Sequence, residues 1–135
     1  MQPVQAIDHI GIAVRSIESA RLLYERTLGA TFEGTEVVPD QKVNAAFFTV
    51  GGVRIELLEP TGPDSPVAAY IEKRGEGIHH IAYAVAGLEE RIKELAKEGV
   101  RLIDEVPRGG THGTRIVFLH PKSTHGVLTE LCEPQ

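Results

Sequence analysis

Four side chains in this sequence are of the types that hold a divalent metal ion, and they occur as two matched pairs: His9 with Glu56, and His80 with Glu130. His9-Ile-Gly-Ile-Ala-Val14 and His80-Ile-Ala-Tyr-Ala-Val85 agree at four of six positions. Val53-Arg-Ile-Glu-Leu-Leu-Glu-Pro60 and Val127-Leu-Thr-Glu-Leu-Cys-Glu-Pro134 share Val, Glu, Leu, Glu and Pro in register. Such self-similarity marks an internally duplicated chain. A lone strand histidine is usually packed and hydrogen-bonded in a core. A carboxylate at an inward strand position is harder to explain, because an uncompensated buried charge costs several kcal/mol. Two imidazoles with two carboxylates and no thiolate therefore read as one site for cobalt, manganese, nickel, iron or zinc.

Strand alternation decides which acidic residues belong. Residues an odd number apart point to opposite faces, so Glu59 and Glu133 turn away from Glu56 and Glu130, and His79 from His80. Cys132 is an even number from Glu130 and could face inward, where a small buried thiol is a better reading than a fifth ligand.

The elements that position these residues follow from the repeat. Each histidine segment has the β-branched, apolar character of a strand and precedes a helical pattern ending in glycine, Ser16 to Gly29 and Gly87 to Gly99. Ile17, Ala20, Tyr24 and Leu28 fall on one face of the first helix, and Leu88, Ile92 and Leu95 on one face of the second. Glu89 and Lys93, four apart on its polar side, make a solvated pair worth about 0.3 kcal/mol. The first module continues with strands Thr31–Val38 and Val43–Val50, then a Gly51-Gly52 turn into the last strand. The second offers Arg101–Val106 and Arg115–Leu119 around Arg108-Gly-Gly-Thr-His-Gly113. Asp64 to Arg74 reads as a connecting helix, capped by Asp64 or Ser65 with Pro66 at its start. The expected fold is α+β, one domain over residues 1–135 built of two tandem βαβββ modules packed around a shared metal-binding cavity. Module one spans about 5–60, the linker helix about 64–74 and module two about 77–134.

Composition narrows the class of function. The chain has 135 residues, enough for one sizeable core. Its 14 basic against 19 acidic residues give a formal charge of −5. With no basic block interleaved with aromatics, that balance speaks against nucleic-acid binding. No apolar run approaches the roughly 20 residues of a membrane span, and no secretory signal pattern opens the sequence. The single cysteine, Cys132, makes no internal disulfide. Cytoplasm or an organelle matrix is expected.

Asp8-His-Ile-Gly-Ile-Ala-Val14, Glu56-Leu-Leu-Glu-Pro60 with Asp64-Ser-Pro66, Gly77-Ile-His-His-Ile-Ala82, and Phe118-Leu-His-Pro-Lys122 through Gly126-Val-Leu-Thr-Glu-Leu131 resemble the vicinal oxygen chelate superfamily. The Leu-His-Pro-Lys segment leading to Gly-Val-Leu-x-Glu-Leu resembles its methylmalonyl-CoA epimerase family in particular. The resemblance covers nearly the whole chain. It implies metal-dependent epimerisation of methylmalonyl-CoA at C2, by α-proton abstraction through a metal-stabilised enolate. It also implies cobalt as the favoured ion, a homodimer, and metal at His9, His80 and Glu130, with Glu56 where relatives carry glutamine or glutamate. Glu130 is the candidate base. In several relatives a second glutamate aligns with Ala45, beside Asn44; that departure speaks against the simple two-glutamate proton transfer of those relatives and leaves Glu56, a metal-held water or His112 as second carrier. His112 and Arg115, in or beside the glycine-rich turn, are candidates to hold the substrate carboxylate or the CoA phosphates, although glycine first signals turn geometry. His120 and His125 flank a Pro-Lys turn and read as structural or solvent-facing, and Lys122 as a solvated lysine within reach of a CoA phosphate. Rival readings are a glyoxalase-like isomerase with the same ligands, an extradiol-type dioxygenase, disfavoured by a fourth ligand at Glu56, and a small-molecule binding protein of the same fold, disfavoured by the buried charges.

Overall fold

The computed structural model describes residues 1–134 and gives an α+β chain with two compact units, residues 9–79 and residues 1–8 with 80–135. The boundaries fall inside two strands, β1 (Ala6–Ala13) and β5 (Gly77–Ala84). No helix among the described residues is long and apolar enough to cross a membrane.

In the unit of residues 9–79, β1 leads to α1 (Ile17–Leu22), then β2 (Thr31–Val38), β3 (Val43–Val50), β4 (Val53–Pro60) and α2 (Pro66–Arg74). The elements follow the expected βαβββ order along the chain, and the strands lie in the order β2–β3–β4–β1, with β4 parallel to β1 and the other pairs antiparallel. Gly51, at φ +58°, makes the tight β3–β4 turn in a conformation that favours glycine. The period of two is visible in the cores. Val14, Ala46, Phe48 and Leu57 pack under Ile17, Ala20 and Tyr24 of the first helical segment. Their neighbours Ala13, Ala45, Phe47 and Leu58 face the other way and pack with Val67 and Ile71 of α2.

The first helix departs from its expected course. Ser16 caps it, accepting from the Ser19 amide at 3.2 Å, but over Leu23–Thr27 it widens into a π turn. The extra residue per turn rotates the chain, so Leu28, expected on the core face, is instead 60% exposed. The linker helix begins as read: the Ser65 hydroxyl accepts from the Val67 amide at 3.2 Å and Pro66 is its first residue.

The unit of residues 1–8 with 80–135 carries β5, α3 (Leu88–Lys97), β6 (Arg108–Gly109), β7 (Thr114–Leu119) and β8 (Thr129–Pro134), with strands in the order β5–β8–β7–β6. Leu88, Ile92 and Leu95 of α3 pack on Val85, Val117, Leu119 and Leu131. Ala82, Ile116, Phe118 and Cys132 form a separate cluster, the alternate residues of the same strands.

The expected strand Arg101–Val106 does not form. Leu102 makes an isolated bridge to Leu119, and pairing resumes at Arg108 opposite Ile116, so six steps of one strand stand against three of the other. Pro107 has no amide hydrogen to donate, and Asp104 closes the bulging segment against Arg108 at 3.5 Å. Glu89 also differs from expectation: it accepts from Arg115 at 2.6 Å, while Lys93 lies 3.6 Å from Glu90.

Candidate metal centre

Each unit brings one histidine onto one glutamate. Residues 11 and 82, opposite Glu56 and Glu130 on the parallel side, are Gly and Ala, and Phe47 and Phe118 stand opposite them on the antiparallel side. Small neighbours leave room above the strand, and each phenylalanine walls one side. The result is a buried carboxylate next to a buried imidazole, twice. His9 Nδ1 lies 3.3 Å from Glu56 Oε2, with side chains 4% and 2% exposed. His80 Nε2 lies 3.4 Å from Glu130 Oε1, with both side chains 2% exposed. His80 also meets Phe118 edge-on, ring centroids 5.5 Å apart.

The donor set fits a divalent ion. Removing two carboxylates from water is costly unless a cation or strong hydrogen bonds compensate, and imidazole beside carboxylate is the ligand chemistry of borderline metals. His9, His80 and Glu130 are each buried and each offer a ligand atom. The chemistry such residues support is polarisation of a substrate oxygen beside a carboxylate able to take a proton.

The alternate residues do different work. Glu59, an odd number from Glu56, accepts from the Ile17 amide at 3.0 Å at the start of α1. Glu133, its counterpart, accepts from the amides of Gly87 and Leu88 at the start of α3. Two glutamates of each repeat thus serve opposite faces, one beside a histidine and one at a helix N-terminus, where unsatisfied amides favour an anion. His79 lies edge-on to Tyr70 at 5.0 Å, and burial pushes its imidazole down to about 4, so it is neutral at pH 7. Cys132 is buried, its thiol donating to the Tyr83 carbonyl at 3.6 Å.

Arg115 pairs with Glu89 at 2.6 Å and reaches Glu133 at 3.9 Å, which places it on the strand face opposite Glu130. His112 is exposed, in a short turn at φ +57°. His120 Nδ1 accepts from the Lys122 amide at 3.0 Å, and lost hydration together with the charges of Arg101 and Lys122 holds this imidazole below its ordinary value. Ala45 is fully buried among Leu58, Val67 and Ile71.

One partner escaped the sequence reading. Arg54 Nε donates to Glu56 Oε2 at 3.0 Å. Arg54 and Glu56 are two apart on one strand and so share a face, which alternation alone does not turn into a contact.

The sequence profile of the Glyoxalase/Bleomycin resistance protein/Dioxygenase superfamily matches residues 8–118. An uncharacterised Bacillus subtilis protein, YqjC, is 51% identical over 96% of this chain and 92% of its own length. The ethylmalonyl-CoA/methylmalonyl-CoA epimerase of Cereibacter sphaeroides is 39% identical, over 93% of this chain and 95% of its own. A Streptomyces coelicolor methylmalonyl-CoA epimerase variant, solved in complex with 2-nitronate-propionyl-CoA, superposes with a TM-score of 0.93 at 40% identity, covering 98% of this chain and 96% of that one. With this fold, this pattern of strands and these matches, the chain belongs to the glyoxalase/bleomycin resistance protein/dioxygenase superfamily and, within it, to the methylmalonyl-CoA epimerase family.

Proposed function

We propose that the chain interconverts the C2 epimers of methylmalonyl-CoA, with one divalent ion held by His9, Glu56, His80 and Glu130, and residues 1–135 acting as one catalytic domain. The observation that carries this reading is the buried His–Glu pair found at matched positions in each repeat. When bound, the ion supplies a Lewis acid for the negative charge that proton loss puts on the thioester oxygen. Glu130 is the base. Oε1 faces His80, and Oε2 is the atom assigned to take the C2 proton. Burial beside Phe118 keeps water from competing for that proton. Epimerisation also needs a proton returned from the other side of C2. Ala45 has none to give, so that transfer falls to Glu56, His112 or a site water. His112 is proposed to bind the substrate carboxylate or the CoA phosphates, and Arg115, on the face opposite Glu130, the CoA phosphates alone. Cobalt, a homodimer and a cytoplasmic location complete the reading.

The test is deuterium uptake at C2 of methylmalonyl-CoA in heavy water, with stripped and cobalt-reconstituted protein. Exchange that appears only with the ion is the expected result. No exchange in either sample, or preferred turnover of a glutathione hemithioacetal, rejects the assignment.

A further inference from the structure

Glu56 is among the most deeply buried residues of the chain, 1% exposed, and its strand partners Gly11 and Phe47 offer it no side-chain hydrogen bond. Its Oε2 meets two groups at once: Arg54 Nε donates at 3.0 Å and His9 Nδ1 lies at 3.3 Å. Arg54 stands opposite His9 in the parallel β1–β4 pairing and shares a face with Glu56, so one guanidinium flanks both members of the pair. It is 21% exposed and lies over the Phe47 ring, 5.9 Å from its centroid. A guanidinium stays charged at every physiological pH and is less strongly hydrated than an ammonium, which suits it to compensating a buried carboxylate. A carboxylate is planar, so fixing Oε2 between arginine and imidazole also fixes the direction of Oε1. The repeat does not require this arrangement: Val53-Arg54 aligns with Val127-Leu128, and Leu128 packs against Ala82, Ile116, Phe118 and Cys132.

We infer that Arg54 is a positioning residue, which compensates the charge of Glu56 and, by holding Oε2, sets how the carboxylate is presented to the ion. The inference rests on the ligand role proposed for Glu56. Calorimetric cobalt binding and the visible absorption of the cobalt-loaded protein test it without recourse to activity, using Arg54→Gln, Arg54→Lys, Glu56→Gln and the double variant Arg54→Gln/Glu56→Gln. Residues that orient a ligand typically matter about 10–100-fold in metal affinity, so Arg54→Gln should weaken binding at least about tenfold and alter the spectrum, with Arg54→Lys in between. In the Glu56→Gln background the same arginine change should alter affinity less than about twofold, because a neutral amide needs no counter-charge. A general packing role would not be suppressed in this way. Unchanged binding by Arg54→Gln, or equal losses in both backgrounds, overturns the inference. If the parent protein takes up no divalent ion, the ligand role of Glu56 fails, and Arg54 is judged on thermal unfolding of the ion-free proteins. There a loss confined to the Glu56 background supports the coupling, and equal loss in both overturns it.

Discussion

The roles proposed for Glu130 are two, to hold an ion and to carry a proton, and a single isosteric change separates them. Glu130→Gln keeps the shape of a side chain that is 2% exposed, and keeps an oxygen for His80 or the ion, but removes the basic oxygen. General acid–base groups contribute about 10²–10⁴-fold, so C2 exchange should fall by at least about 100-fold in the cobalt-loaded variant. Exchange at the parent rate with the ion bound would move the base elsewhere. The pairing of His9 with Glu56 and His80 with Glu130 was legible because duplication presents the same chemistry twice. Arg54 was not, because it occurs in one repeat only, and a single surface-type residue carries no periodic signal. Ala45 was legible as a departure but not in its consequence. The structure supplies that: the position is closed among Leu58, Val67 and Ile71.

At the scale of elements, the residues that turn away from the site hold the helices in place. Glu133 accepts from two amides at the start of α3 and also faces Arg115, so it joins strand β8, helix α3 and strand β7. Loss of a helix N-terminal acceptor costs about 1 kcal/mol, and charged hydrogen bonds somewhat more, so Glu133→Ala should lower stability by about 1–2 kcal/mol in denaturant titration. Ion content should stay unchanged, since Glu133 points away from Glu130. A midpoint within error of the parent would show that water replaces the carboxylate there. Sequence alternation located these glutamates correctly and was silent on their partners, because helix entry angles are set by tertiary packing. The same limit explains Leu28 and Arg101–Val106: a π turn and a bulging edge segment both arise from packing and pairing, whereas periodicity reports only a regular element.

For the whole molecule the decisive quantity is stoichiometry. Each repeat holds one buried His–Glu pair, so an ion content of one or two per chain separates a shared centre from independent ones. The proposed centre takes both pairs to a single ion. Two protein ligands make a weak site for a borderline divalent metal, while four hold it more firmly and share the desolvation of both carboxylates. The parent should therefore carry one cobalt per chain by elemental analysis. His9→Ala and His80→Ala should each empty the site, since either leaves three donors around an ion that must be held against water and chelator. With independent centres the parent would carry two ions, and each variant would retain one. Stability gives a second readout of the same question. An ion that binds only the folded chain adds about 2.7 kcal/mol at 100 times its dissociation constant. Chelation of the parent should then lower the melting temperature by roughly 10 °C for a chain of this size. His9→Ala and His80→Ala should each start from that lower value and show no further response to chelator, whereas a residual shift of half the size in either variant would divide the centre in two.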